Sequence, residues 1–484
     1  ESRDLNFLPR LGGSINTIRT SRDGMSLIVC CDNNSMRTVN ITTLETIFQT
    51  SGLTTFASSS RKYRKRCGHV IVDPITEAVV IPTCNGGAGA SLQFWNAKED
   101  VCMALLDVSR RNRVSRKESG RKNRVPRAIV EAFDFSKNGS WLVTVDSTCV
   151  GEHSLHQRTI RFWNRNSIET TSSSLKFVAV AAMTESSDTR VGVASFGSTS
   201  SLVVTTHMSL SSKQDSSNCF KVWETYRRKR VEGPAQWAVS SNNNSTRSLW
   251  RCRGIGRYRG LRPTSASWSS DDSLLVVGFQ NVATLWGGDC RNTLLRTISH
   301  PSMSPIHSVR VLSDDVSFVP YLAIASKERL CVHNLLDMSL EWEHHGGVRF
   351  GSLTSNSSRN RFALGMCSDD KSNSSVVIAE FEPKSRVPIA SSSSSSSSRR
   401  RGIIPDVTYF TTQGGPLCCL ETSGMLSIVG LPGCMDDIVD DEKDVDMENE
   451  EEDSVLTIMG ERKFETLIGS IEKKKSVTTS DKNE

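Results

Sequence analysis

No run in this chain approaches the ~20 consecutive apolar residues that a membrane-spanning helix needs; the longest, around residues 177–183, has the length of a strand. No helical span and no membrane partner are expected. Cysteine is plentiful, at 14 residues, yet C-x-x-C never occurs, so the paired thiols of a structural zinc site are missing. Cys30, Cys331 and Cys418 sit inside apolar runs, as reduced, buried thiols of an intracellular protein do.

Motifs of catalysis are equally scarce. There is no G-x-x-x-x-G-K-[ST] to cradle phosphates and no Gly-x-Ser-x-Gly elbow to raise a nucleophile. Gly254-Ile255-Gly256-Arg257-Tyr258-Arg259-Gly260 has one residue too many for a dinucleotide loop and runs toward another strand. His153 and His156 flank a polar loop with Glu152, and His344-His345 precede Gly346-Gly347; neither pair has a third ligand in sight. Catalytic residues, metal, cofactor and small-molecule substrate are therefore not expected. The chain begins at Glu1 with no secretory leader pattern, and the expectation is that further sequence precedes it.

What is present is ample apolar surface, with 37% hydrophobic residues, 17 Phe and 9 Trp, enough for a sizeable core. The net charge of +6 hides a division. Residues 436–453 hold 12 acidic residues and one Lys, a local −11, which leaves +17 on the other 466 residues. A basic body with an acidic, self-repelling tail points toward polyanionic partners or a basic assembly.

A weak internal repeat organises the body. Four strand-like segments end in Trp: Phe94-Trp95-Asn96, Phe162-Trp163-Asn164, Val222-Trp223-Glu224 and Leu285-Trp286-Gly287, spaced by 68, 60 and 63 residues. Upstream lie turns such as Ser21-Arg22-Asp23-Gly24, Ser136-Lys137-Asn138-Gly139 and Ser270-Asp271-Asp272-Ser273, each leading into an apolar strand. Strand, turn, strand, loop and Trp-ended strand is the order of a propeller blade. The pattern predicts an all-β, WD40-like seven-bladed β-propeller over residues 1–430, with blades starting near Ile15, His69, Ala128, Val191, Thr264, Ile306 and Val348. Residues 407–429 are left open as a partial eighth blade or as part of the seventh. Residues 4–8 are a candidate for the strand that closes the ring.

Residues 431–453 read as an acidic disordered linker and 454–484 as a short helical tail. There Phe464, Leu467, Ile468 and Ile471 form one apolar helix face suited to docking on a partner, before the Lys473-Lys474-Lys475 run. The low-complexity serine run 391–398 reads as a linker.

The repeat resembles WD-repeat β-propellers, although Asn, Asn, Glu and Gly stand where that family's Asp would follow Trp95, Trp163, Trp223 and Trp286. Three segments narrow the resemblance: Phe7-Leu8-Pro9-Arg10-Leu11-Gly12-Gly13-Ser14-Ile15; Trp250-Arg251-Cys252 with Tyr258; and Ala266-Ser267-Trp268-Ser269 through Leu274–Phe279 to Thr284-Leu285-Trp286. Together with Phe464-Glu465-Thr466-Leu467-Ile468-Gly469-Ser470, they resemble the second propeller and tail of the tandem-propeller WD-repeat subunits of the small-subunit processome. The resemblance implies a preceding propeller, a nucleolar scaffold in early pre-rRNA processing and linked RNA polymerase I transcription, other WD-repeat processome subunits as partners, and pre-rRNA and U3 small nucleolar RNA in direct or indirect contact.

The residues themselves offer basic clusters. These are Arg61, Lys62, Arg64, Lys65 and Arg66; Arg110, Arg111, Arg113, Arg116, Lys117, Arg121, Lys122, Arg124 and Arg127; and Arg227, Arg228, Lys229 and Arg230. Guanidinium forks suit phosphate, giving salt-sensitive and sequence-independent affinity. Taken singly, each cluster reads equally as a solvated insertion or a nuclear targeting run. Arg251, Arg253, Arg257, Arg259 and Arg262 with Tyr258 either stack on an unpaired base or lie on an outer strand with their long side chains in solvent. A general protein-interaction hub is the alternative function.

Overall fold

The computed structural model describes residues 15–21, 24–31, 35–52, 70–83, 90–97, 99–109, 128–150, 155–165, 176–185, 189–210, 217–227, 248–288, 293–302, 304–313, 319–345, 348–356, 360–368, 376–394, 406–409, 417–420 and 426–429. The described elements are strands, arranged in eight antiparallel sheets. The first sheet is β1 (Ile15–Thr20), β2 (Ser26–Cys31), β3 (Ser35–Asn40) and β4 (Thr46–Ser51); the second is β5 (Ile71–Val72), β6 (Val79–Thr83), β7 (Ala90–Asn96) and β8 (Val101–Ser109). The third is β9 (Ala128–Phe135), β10 (Trp141–Val150), β11 (Leu155–Arg165) and β12 (Phe177–Glu185); the fourth is β13 (Thr189–Phe196), β14 (Leu202–Ser209), β15 (Cys219–Arg227) and β16 (Ser248–Gly256). The fifth is β17 (Pro263–Trp268), β18 (Leu274–Phe279), β19 (Val282–Gly287) and β20 (Leu294–Ser299); the sixth is β21 (Ile306–Ser313), β22 (Pro320–Ser326), β23 (Arg329–Asn334) and β24 (Leu340–His345). The seventh holds β25 (Val348–Phe350), β26 (Thr354–Asn356), β27 (Arg361–Ser368), β28 (Val376–Phe381) and β29 (Ala390–Ser394); the eighth holds β30 (Asp406–Tyr409), β31 (Leu417–Leu420) and β32 (Leu426–Val429).

Expected blade starts at Ile15, Ala128, Ile306 and Val348 are first residues of strands, and Val191 and Thr264 fall inside β13 and β17. The strands within residues 407–429, left open by the sequence, form a sheet of their own because the seventh already has a full set of strands. The serine run expected as a linker is in part a strand: residues 391–394 pair with β28, since a backbone ladder makes no demand on side chains. His69, the candidate closing strand 4–8, the acidic linker 431–453 and the tail with Phe464, Leu467, Ile468 and Ile471 lie outside the described residues.

Strand periodicity explains how the sheets stack. Successive side chains of a strand point to opposite faces, and here both faces of a middle strand are covered. Leu275, Val277 and Phe279 join the cluster shared by the fourth and fifth sheets, while Val276 between them joins the fifth to the sixth. In β6, Val80 packs toward the third sheet, whereas Val79 and Ile81 pack with Cys418 of the eighth. In β31, Leu417 and Cys419 pack with Ala363 and Ile378 of the seventh. Apolar clusters thus link each sheet from the second to the eighth with the next, and the eighth with the second, so the chain closes into a ring. A closed ring leaves no strand face to water at its seam. Fourth strands are the rim: β20 is exposed over nearly all its length.

The first sheet stands apart. Among the described residues no apolar cluster joins it to another sheet, and Ile15, Ile18, Ile47 and Phe48 are each at least 50% exposed. One tie to the ring is the hydrogen bond from Gln93 Nε2 to the Gly52 carbonyl, 3.2 Å.

Polar contacts repeat with the sheets. Ser136 Oγ accepts from Trp141 N, Ser269 Oγ from Leu274 N and Ser21 Oγ from Ser26 N, all at 2.9 Å, each holding the turn between first and second strands. Gly24, Gly139 and Asp272 take positive φ at these turns. Side chains also tie neighbouring sheets of the ring. Asp134 Oδ2 accepts from Phe196 N, Asp272 from Ser198 N and Thr199 N, Ser267 Oγ from Val311 N and Ser308 Oγ from Leu353 N, while Tyr409 Oη donates to Glu380.

Candidate nucleic-acid interface

The described basic residues of the candidate set concentrate on the fourth sheet and the turn that leaves it. β16 buries Trp250, whose ring stacks on Phe162 of the third sheet at 4.4 Å between centroids with an interplanar angle of 12°. That anchor fixes the strand as an outer strand, with Arg251 and Arg253 exposed along it. Both are already paired. Arg251 lies opposite Glu224 in the ladder and Arg251 Nη2 is 2.6 Å from Glu224 Oε1, while Arg253 Nη1 is 3.1 Å from Oε2. The Arg251 guanidinium also lies 5.2 Å over the Tyr226 ring.

Beyond Gly256 the chain turns into β17. Tyr258 and Leu261 pack into the core shared by the fourth and fifth sheets, with the Tyr258 ring 5.8 Å from Phe279. Leu261 N donates to the Tyr258 carbonyl at 2.9 Å, and the two residues between, Arg259 and Gly260, have φ of 46° and 67°. Positive φ at both central residues is the signature of a type I′ turn. Asn218 Nδ2 donates to the Gly260 carbonyl at 2.8 Å, and Asn218 Oδ1 accepts from Ser209 N at 2.8 Å. Arg257, Arg259 and Arg262 are exposed on this held turn. The Arg259 guanidinium lies 5.3 Å over Tyr258. Of the two sequence readings, the outer strand describes Arg251 and Arg253; the Tyr258 ring is engaged by the core on one side and Arg259 on the other.

Beside this surface lies a polar network with no cation to spare. Lys221 Nζ donates to both oxygens of Glu185 at 2.7 and 2.8 Å. His207 Nε2 shares a 2.8 Å hydrogen bond with Thr205 Oγ1, which also accepts from Trp223 Nε1 at 2.8 Å. Burial first, and then the Lys221 charge, hold the His207 imidazole neutral down to about pH 3. Among the described residues no group of three or more His, Cys, Asp or Glu side chains is placed to hold a metal.

The remaining basic candidates fall elsewhere. Arg227 ends β15, and Arg228, Lys229 and Arg230, like the clusters 61–66 and 110–127, lie outside the described residues. Sequence reasoning missed Glu224 and Asn218. Glu224 carried a signal, since it follows Trp223, but its partners are separated from it in sequence by more than 20 residues.

Comparison with known proteins places these features in a family. The family model described as the second beta-propeller of WD repeat-containing protein 75 matches residues 70–399, starting where the ring starts and leaving out the first sheet. WD repeat-containing protein 75 of Danio rerio is 28% identical over 339 residues, covering 69% of this chain and 35% of that protein. Its Xenopus laevis counterpart is 25% identical over 342 residues, covering 69% and 36%. U3 small nucleolar RNA-associated protein 17 of Schizosaccharomyces pombe is 22% identical over 394 residues, covering 75% and 44%. The chain thus spans less than half the length of these relatives. With more than half of its residues matched by the model and a ring of antiparallel sheets to match, the chain belongs to the family of the WD repeat-containing protein 75 second β-propeller.

Proposed function

We propose that this chain is a non-enzymatic scaffold of the small-subunit processome in the nucleolus, acting in early pre-rRNA processing, 40S ribosome biogenesis and linked RNA polymerase I transcription. The observation that carries the reading is the family match over residues 70–399, joined by a relative named for its association with U3 small nucleolar RNA. A closed ring of sheets presents rigid rims and turns to neighbours, a use to which propellers are suited. Its partners in this reading are other WD-repeat processome subunits, met through the rims and through the tail face of Phe464, Leu467, Ile468 and Ile471. Its basic residues, on a body of +17, meet pre-rRNA and U3 RNA phosphate.

Affinity purification of the tagged chain at two salt concentrations tests this. Recovery of U3 RNA together with processome subunits is the expected result, with RNA held by the basic residues released at the higher salt. Recovery of neither would return the protein to a general interaction hub.

A further inference from the structure

Resting on the RNA reading above, we infer that the turn over residues 257–262 is a preformed contact for single-stranded RNA phosphates, and that the neighbouring Arg251 and Arg253 are not part of it. The division follows from charge. Glu224 holds Arg251 and Arg253 in ion pairs, whereas among the described residues no carboxylate pairs with Arg257, Arg259 or Arg262. Three unneutralised guanidiniums therefore leave one turn of six residues.

The turn is held in place before any ligand arrives. Tyr258 and Leu261 anchor it in the core, the Tyr258 carbonyl accepts from Leu261 N, and Asn218 clamps the Gly260 carbonyl. Ordering a loop on binding opposes affinity, so a turn already ordered gains by that amount. Arg259 occupies the left-handed region at φ 46°, where glycine or asparagine sits without strain and a long side chain does not. Among the described non-glycine residues with positive φ it is the one cation. Strain retained at a single position is a mark of function when the side chain itself is needed.

The kind of ligand follows from what the turn offers. Its apolar side chains face the core and Arg259 covers the Tyr258 ring, so no aromatic face is open to stack on a base. What projects is guanidinium alone, whose planar fork donates two hydrogen bonds to one phosphate. Binding is therefore insensitive to sequence.

The test measures a labelled uridine oligonucleotide on the full chain across salt, for wild type, R257A/R259G/R262A, R259G and R251A/R253A. The triple variant is expected to bind at least about tenfold more weakly at low salt, with a salt slope smaller by about 2, from ~0.7 per lost single-strand phosphate. R259G alone weakens binding about threefold while its melting temperature holds or rises, since glycine relieves the turn. R251A/R253A stays within about twofold of wild type. An intact chain that binds no RNA overturns the RNA reading and this inference with it. RNA binding unchanged in the triple variant, or weakened equally by R251A/R253A, or lost only in step with unfolding, overturns the inference alone. A triple variant that keeps RNA but loses a co-purifying acidic protein reassigns the turn and overturns it as well.

Discussion

Arg165 and Asp73 join the second and third sheets through one short ion pair: Arg165 Nη2 lies 2.6 Å from Oδ1 and 2.7 Å from Oδ2 of a carboxylate that solvent does not reach. Asp73 also accepts from Ile75 N and Thr76 Oγ1, so it braces its own turn while holding the neighbour. The guanidinium lies 4.9 Å over the Phe177 ring, which fixes it from the other side. Asp73→Ala leaves a largely buried cation without its partner and is expected to cost about 3 kcal/mol. Chemical denaturation of D73A, R165M and the double variant checks this, with the double variant less destabilised than the sum of the singles.

Gly256 is required for space rather than for backbone freedom. A Cβ there would collide with the Phe220 ring, and that ring is packed against Trp286 at 5.0 Å between centroids, so it has no room to yield. Gly24 is the opposite case, with φ of 72° and nothing within 4 Å of its would-be Cβ. G256A is expected to lose more than about 2 kcal/mol by overpacking and G24A about 1 kcal/mol by strain, read from urea midpoints.

Stability should fall in mild acid. Imidazole ordinarily titrates near pH 6.5, but His207 is buried and refuses a proton until about pH 3. Below about pH 6.5 the unfolded chain therefore binds a proton that the folded chain does not, and stability drops by up to about 1.4 kcal/mol per pH unit from 6.5 toward 3. His300, also held neutral by burial down to about pH 4, adds to the same slope. Urea denaturation of wild type and H207Q over this range should show a shallower fall in the variant.

Trp223 and His207 both depend on Thr205. Its hydroxyl accepts from Trp223 Nε1 and bonds His207 Nε2, each at 2.8 Å and each buried. Thr205→Val keeps the shape and strands both, at an expected cost of about 2 kcal/mol by thermal or urea denaturation. The third sheet repeats the contact as Trp163 Nε1 to Thr144 Oγ1 at 2.9 Å, so Thr144→Val should lose less, about 1 kcal/mol, there being no histidine on that hydroxyl.

Much of the fold is legible in the order of the residues. The segments expected to end at Trp are the third strands β7, β11, β15 and β19, although β15 runs on past Trp223 to Arg227, and the Ser-x-x-Gly turns form the serine-held turns seen at Ser21 and Ser136. Both are local features. A tryptophan after alternating apolar residues, or a serine before a positive-φ residue, determines its surroundings within a few positions. The turn before β18 shows the limit: the run read as residues 270–273 is organised by Ser269, one residue earlier, because its hydroxyl reaches Leu274 N.

The arginine-rich stretch was legible as charge and illegible as chemistry. Arg251, Arg253, Arg257, Arg259 and Arg262 look alike in sequence, yet two of them share ion pairs with the one carboxylate of Glu224 and a strained turn presents the other three. Cross-strand register separates the two groups, and register is set by a hairpin whose strands are 20 residues apart.

The amino-acid sequence by itself determined the strands, their turns, the basic body and the propeller family, because these rest on side-chain periodicity and local hydrogen bonding. Tertiary structure alone decided which sheets are neighbours. Cys418 faces Val79 while Leu417 and Cys419 face the seventh sheet, closing a ring to which, among the described residues, no apolar cluster joins the first sheet. A strand's pattern states that both of its faces are buried; what buries them is chosen only when the whole ring assembles.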